Sequence, residues 1–362
     1  MRVFYAKATY GNKEIAAVNK VLKNPVALMN GAAVKEFEQK SSKLFGKKFG
    51  LMVNSGSSAN LLALAAFNFK PGSEIITPSL TFSTTVAPIY QVNCVPHFID
   101  VIDRKYIANV DQIETCINKK TVAIMIPNLL GNIADWKKIH LLGKKYKLKI
   151  IEDAAQATGA YYKGKHAGTF GKISAFSTHP LKNLNALGDG GFIITSEKKL
   201  YDKIKLYRSH GLEGRDDAKI IGVNSRLDSI NAEVLSFRLK KLKNIIYRRR
   251  KNINYYKKYI KTNKVKILND KKNEKNAHVM FVTLAENRNK LQEYLKKFNI
   301  QSLLYYPTPL HLHNSMKFLG YKKGNLINAE KITSKVISFP HHQHLTEKQI
   351  KFVSEKINKF YL

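Results

Sequence analysis

Short apolar runs alternate with helical stretches through the first half of the chain, and this alternation limits the folds open to it. "EIITP" (74–78), "TVAIMIP" (121–127), "LKIIEDA" (148–154), "ISAFST" (173–178) and "GFIITS" (191–196) read as buried strands. Between them, "SANLLALAAFNF" (58–69) and "DWKKIHLLGKKYK" (135–147) carry apolar residues at helical spacing. Continuous apolar strands separated by amphipathic helices predict an α/β fold, a mainly parallel sheet covered by helices on both faces. From about residue 229, "SINAEVLSFRLKKLKNIIYRRRKNINYYKKYI" reads as one long helix or two consecutive ones. A smaller α+β unit follows, with a strand at 278–285 and helices at 289–298 and 346–360. With 362 residues, 44% of them hydrophobic, the chain can bury a large core. The expected division is a large domain at 1–245 and a small C-terminal domain at 246–362.

Lys+Arg number 62 against 26 Asp+Glu, a formal net charge of +36. The excess is mostly lysine and is spread from Lys7 to Lys359, so it reads as a compositional bias more than a basic patch. Nucleic-acid binding would need a docking module, and there is no zinc-finger spacing, RNP-type strand or basic zipper. No signal segment opens the chain, and no apolar run approaches the roughly 20 residues of a membrane helix. Two cysteines, Cys94 and Cys116, form neither a disulfide framework nor a metal pair. A cytoplasmic enzyme with no membrane, nucleic-acid or metal partner is the expectation.

Ligands of open α/β sheets bind where strands end and helices begin. Four such places carry suitable residues. "VNSGSSANLLAL" (53–64) puts Ser57 and Ser58 in the first turn of a helix, where they either cap it or hold a phosphate at the positive end of its dipole. "SLTFSTTVAP" (79–88) places Phe82 after a strand, as core or as a stacking plate. Asp153, at the end of "LKIIEDA", caps a helix, binds a cation, or holds a ring nitrogen protonated for an electron-sink cofactor. "FSTHPLKNLNALGDGG" (176–191) sets Lys182 beyond a strand, with polar Ser177 and His179 before it and Gly188, Gly190 and Gly191 permitting close backbone approach.

The order of phosphate turn, aromatic, acidic strand end and later lysine resembles the DegT/DnrJ-type (StrS) sugar aminotransferases. The likeness continues through "EDAAQATGAYYKGKHAGTFG", "RSHGLEG", "GVNSRLDSINAEVL", "YYPTPLHLH" and "EKITSKVISFPHHQHLTEKQI". It implies the fold of the pyridoxal-phosphate transferases of aspartate aminotransferase type, with a seven-stranded sheet. It also implies pyridoxal 5'-phosphate as cofactor and a homodimer with shared sites. By that resemblance Lys182 forms the internal Schiff base and Asp153 pairs with the pyridinium nitrogen. Gln156 contacts the ring hydroxyl, Phe82 stacks on the ring, and Ser57, Ser58 and Ser177 contact the phosphate. Asn224 and Arg226 reach the neighbouring subunit's phosphate, and His179, His311 and His313 are candidates for substrate contact.

The implied reaction passes an amine from a donor, expected to be glutamate, to a keto-sugar. "GDGG" and "NSRLD" are similar to relatives that aminate the 3-keto position of nucleotide-linked sugars. A non-nucleotide sugar or a polyol phosphate stays open as acceptor. A sugar dehydratase on the same scaffold would carry histidine in place of Lys182. A nicotinamide enzyme would show a G-x-G-x-x-G turn after an early strand, and none follows a strand in the first half.

Overall fold

The computed structural model describes residues 1–8, 10–23, 28–270 and 272–362. Its centre is a seven-stranded sheet built from β1 (Phe49–Val53), β2 (Glu74–Pro78), β3 (Val95–Ile99), β4 (Thr121–Pro127), β5 (Lys149–Asp153), β6 (Ile173–Ser177) and β7 (Gly191–Thr195). The strand order is β1-β7-β6-β5-β4-β2-β3. All neighbours are parallel except those of β7, which runs antiparallel to both β1 and β6. The apolar runs at 74–78 and 121–127 coincide with β2 and β4. β1 and β3 were not expected as full strands, because "FGLMV" contains glycine and "VPHFI" proline and histidine, residues of weak strand propensity.

Helices cover both faces. The helix expected at 58–69 runs over Gly56–Ala65: Ser55 caps it by accepting the Ser58 N–H at 3.0 Å, and Asn68 leaves the helical region with φ of 51°. The 31-residue helix Ser229–Tyr259 is a single element, capped by Asp228. It spans the position where a domain boundary was expected. Beyond it, the antiparallel strands Val265–Ile267, Phe281–Ala285 and Val336–Phe339 form a second sheet, which shares an apolar cluster with Val3 from the opposite end of the chain.

Under the sheet, Phe45, Phe176 and Phe192 stack, the last two with centroids 4.4 Å apart. Gly168 packs so closely against them that a Cβ there would lie 2.2 Å from the Phe176 ring. The turn carrying Gly168 is held by Glu152, which is buried beside Asp153. Its two oxygens accept from Asn128 Nδ2, the Gly168, Phe170 and Gly171 amides, and Ser174 Oγ. Glu152→Ala leaves these donors unsatisfied and is expected to cost about 3 kcal/mol of stability, measured by denaturant unfolding. A loss under about 0.5 kcal/mol would show that the clamp does not hold this turn.

Candidate active site

β1, β2, β4, β5 and β6 end at the same edge of the sheet, and a cavity of about 450 Å³ opens there. Its wall includes Ser55, Gly56 and Ser57 after β1, Thr81, Phe82 and Thr85 after β2, Asp153 and Gln156 after β5, and Ser177, His179 and Lys182 after β6. Four segments that read separately in sequence therefore meet at one place.

Asp153 is buried, and three neutral donors hold its carboxylate. Oδ2 accepts from Asn60 Nδ2 at 3.0 Å and from Thr85 Oγ1 at 2.7 Å, and Oδ1 accepts the Ala155 N–H at 3.0 Å. Three donors fix the carboxylate and leave it no freedom to rotate away from the cavity.

Lys182 sits half-buried in the turn after β6, its N–H donating to the His179 carbonyl at 2.8 Å. Burial pushes its amine from the ordinary 10.5 down to about 8, and the Asp153 carboxylate pulls the other way. An amine in that range supplies a substantial neutral fraction near neutral pH, as a nucleophile or proton carrier requires. His179 is held below its ordinary value by burial and then by the Lys182 charge, with Asp189 opposing.

Gln156 is oriented from both ends: Oε1 accepts the Leu130 N–H and Nε2 donates to the Tyr306 hydroxyl, each at 2.9 Å. Tyr306 in turn stacks on Phe82 with centroids 5.6 Å apart. Gly56 follows the Ser55 cap so closely that a Cβ would lie 2.6 Å from Ser177 Cβ. Ser58 lies in the same turn, its hydroxyl accepting from Ser55 Oγ at 3.0 Å, but it does not line the cavity.

Asn224 and Arg226 lie apart from this cavity: Arg226 Nε donates to Asn224 Oδ1 at 3.3 Å, and its guanidinium touches His210. His311 and His313 are not brought to the cavity either. The His311 ring is buried and its Nε2 engages Glu330 at 3.1 Å, while the half-buried His313 ring lies 3.3 Å from the Thr308 carbonyl. The segment "YYPTPLHLH" delivers Tyr305 and Tyr306 to the wall instead. Sequence reading passed over those tyrosines, and also Asn60 and Thr85, and named Asp189 only within the motif "GDGG". Two tyrosines before a proline were the available signal; nothing in the sequence marked Asn60 or Thr85.

A lysine of lowered proton affinity, opposite a buried carboxylate and beside a helix N-terminus at the strand ends, defines the class of a cofactor-dependent group-transfer enzyme on an α/β scaffold. The chain belongs to the DegT/DnrJ/EryC1/StrS aminotransferase family, whose model matches residues 8–358. It is 36% identical to a pleiotropic regulatory protein of Geobacillus stearothermophilus, over 91% of this chain and 90% of that one. It is 34% identical to the dTDP-3-amino-3,6-dideoxy-alpha-D-galactopyranose transaminase of Aneurinibacillus thermoaerophilus, over 96% and 95% of the two chains. Among solved structures, S. venezuelae DesV in complex with a ketimine intermediate superposes with a TM-score of 0.95 at 28% identity, covering 99% of this chain and 98% of that one. The enzyme is an aminotransferase that works with pyridoxal 5'-phosphate.

Among the described residues no group of side chains could hold a metal ion, and no helix is long and apolar enough to cross a membrane.

Proposed function

We propose that this enzyme moves an amino group from glutamate to the 3-keto carbon of a nucleotide-linked sugar, in amino-sugar biosynthesis, as a cytoplasmic homodimer. The observation that carries the reading is the lowered Lys182 amine in one cavity with the triply hydrogen-bonded Asp153. The relative named for a 3-amino sugar, with 34% identity over nearly the whole chain, supports the keto position. A regulator without catalysis would have no need to keep Lys182, Asp153, Gln156 and Ser177 around one cavity.

The residues fit the cofactor. The cavity suits an aromatic ring, Asp153 offers an anion, and the turn Ser55–Gly56–Ser57 offers a helix N-terminus for a phosphate. When bound, pyridoxal phosphate supplies an aldehyde and an electron sink. Lys182 would hold the aldehyde carbon and, once released, carry a proton between carbon atoms of substrate and cofactor. Asp153 would keep the ring nitrogen protonated, Gln156 would present Nε2 to the ring hydroxyl, and Phe82 would cover one face. Ser57 and Ser177 would serve the phosphate, and Ser58 would brace Ser55 from outside the cavity lining.

Asn224 and Arg226, which do not line their own cavity, would serve the partner's. The exposed apolar side chains Leu28, Met29, Ile221 and Val223 support a second copy on that side. The Met29 and Asp228 backbones bridge, which ties this apolar group to the segment carrying Asn224 and Arg226. His311 and His313 are left with a packing role.

The test is to mix the cofactor-loaded protein with glutamate and follow the visible band of the lysine-bound form. Its loss on adding glutamate, and return on adding a 3-keto nucleotide sugar, is expected; a band indifferent to glutamate sinks the reading. The lowered Lys182 also sets a pH dependence. Because the neutral amine captures the aldehyde, cofactor capture by the stripped protein should rise about tenfold per pH unit below 8 and level off above it. Stopped-flow absorbance across pH 6–10 checks this, and a rise continuing unabated to about 10 would mean that the amine is not desolvated.

A further inference from the structure

Asp189 lines the cavity without being used by the reading above. Besides Asp153 it is the one other carboxylate among the lining residues. Asp153 is committed to three donors, whereas Asp189 is exposed and makes no hydrogen bond or ion pair among the described residues. That is unexpected in a chain with 62 Lys+Arg and 26 Asp+Glu, where an acid readily finds a cation.

Its cavity neighbour is His179, whose proton affinity it raises. The His179 ring has a defined tautomer, because Nδ1 accepts the Leu181 N–H at 3.2 Å and so cannot itself carry a hydrogen. The His179 amide donates to Ser177 Oγ at 3.3 Å and its carbonyl accepts the Lys182 N–H, so the residue is tethered on both sides. Neutral His179 therefore offers Nε2–H as a donor, and Asp189 offers a free acceptor, both beside the reacting Lys182.

We propose that Asp189 and His179 together form the subsite that reads a hydroxyl of the acceptor sugar next to its keto carbon. A hydroxyl is both donor and acceptor, and this pair supplies one partner of each kind. The inference rests on the aminotransferase reading above and names the part of the site that selects the acceptor. Asp189 also carries a sign that separates it from a structural residue. Glutamate carries a carboxylate on the reacting carbon itself, so a second anion there opposes the amino donor, whereas a nucleotide sugar brings hydroxyls there and carries its diphosphate on the anomeric carbon.

The experiment compares wild type with Asp189→Asn in two half-reactions on the cofactor-loaded protein. The amine sources are glutamate and dTDP-3-amino-3,6-dideoxy-α-D-galactose, the latter run in reverse. Expected for Asp189→Asn is a KM for the amino sugar raised at least about tenfold, with a KM for glutamate that is unchanged or lower. Calorimetric affinity for the same amino sugar should fall by a similar factor. His179→Gln, which keeps an N–H donor, should retain more of the sugar half-reaction than His179→Ala.

Equal losses in both half-reactions, or none in the sugar half, overturn the subsite. A wild type that reacts with glutamate but not with the amino sugar overturns the nucleotide-sugar reading, and the subsite with it. A wild type that ignores both overturns transamination itself.

Discussion

Lys182→Ala is expected to fold normally and to lose transamination by about 10⁴-fold or more. The turn that carries Lys182 is held by backbone bonds, Lys182 N to His179 O and Ala186 N to Thr178 O, which the substitution leaves in place. Removing an amine that burial has already pushed down to about 8 takes away a desolvation cost, so the melting temperature should stay the same or rise. The activity loss should be far larger than any stability change, because no other lysine among the described residues lines the cavity and neutral His179 is tethered through Nδ1. The measurement is the glutamate half-reaction beside a thermal melt. A variant that kept even a tenth of wild-type turnover would remove Lys182 from the chemistry.

Asp153→Asn is expected to cost about 10³-fold in turnover, with a smaller loss of stability of about 1–2 kcal/mol. Asp153 receives hydrogen bonds from Asn60, Thr85 and Ala155, and an amide cannot accept all three without turning an NH₂ toward one of the donors. The negative charge disappears as well, and that charge is what holds the Lys182 proton affinity up. The sign follows: in Asp153→Asn the midpoint for cofactor capture should move below 8, not above it. A variant with an unchanged midpoint and full turnover would show that the carboxylate acts neither on Lys182 nor on the reaction.

Most of the large sheet was legible in the sequence because buried parallel strands are unbroken apolar runs, and β2 and β4 fall where those runs lie. β1, β3 and the strand Val336–Phe339 were harder to read, since each pairs through its backbone with a neighbour that the local pattern does not name. The Ser55 cap illustrates the same limit on a small scale: it moved the helix start to Gly56, ahead of the apolar periodicity that marks the helix. For the site, Lys182, Asp153, Gln156, Phe82, Ser57 and Ser177 were named from their places at strand ends and from the family resemblance. The structure gathers all six at one cavity.

By itself, then, the sequence determined the unbroken apolar strands and the amphipathic helices, that strand ends carry chemical groups, and the family to which the chain belongs. These are local or pattern properties, carried by apolar spacing and by short motifs. The tertiary structure alone decided which side chains share the cavity. It buried His311 against Glu330, brought Tyr306 to Gln156 and Phe82 from 150 positions away from the glutamine, and left Asp189 without a hydrogen-bond or ion-pair partner among the described residues. It also lowered the Lys182 amine, a shift set by desolvation among segments remote in sequence. Burial and charge are properties of the space around a residue, and only the folded chain creates that space.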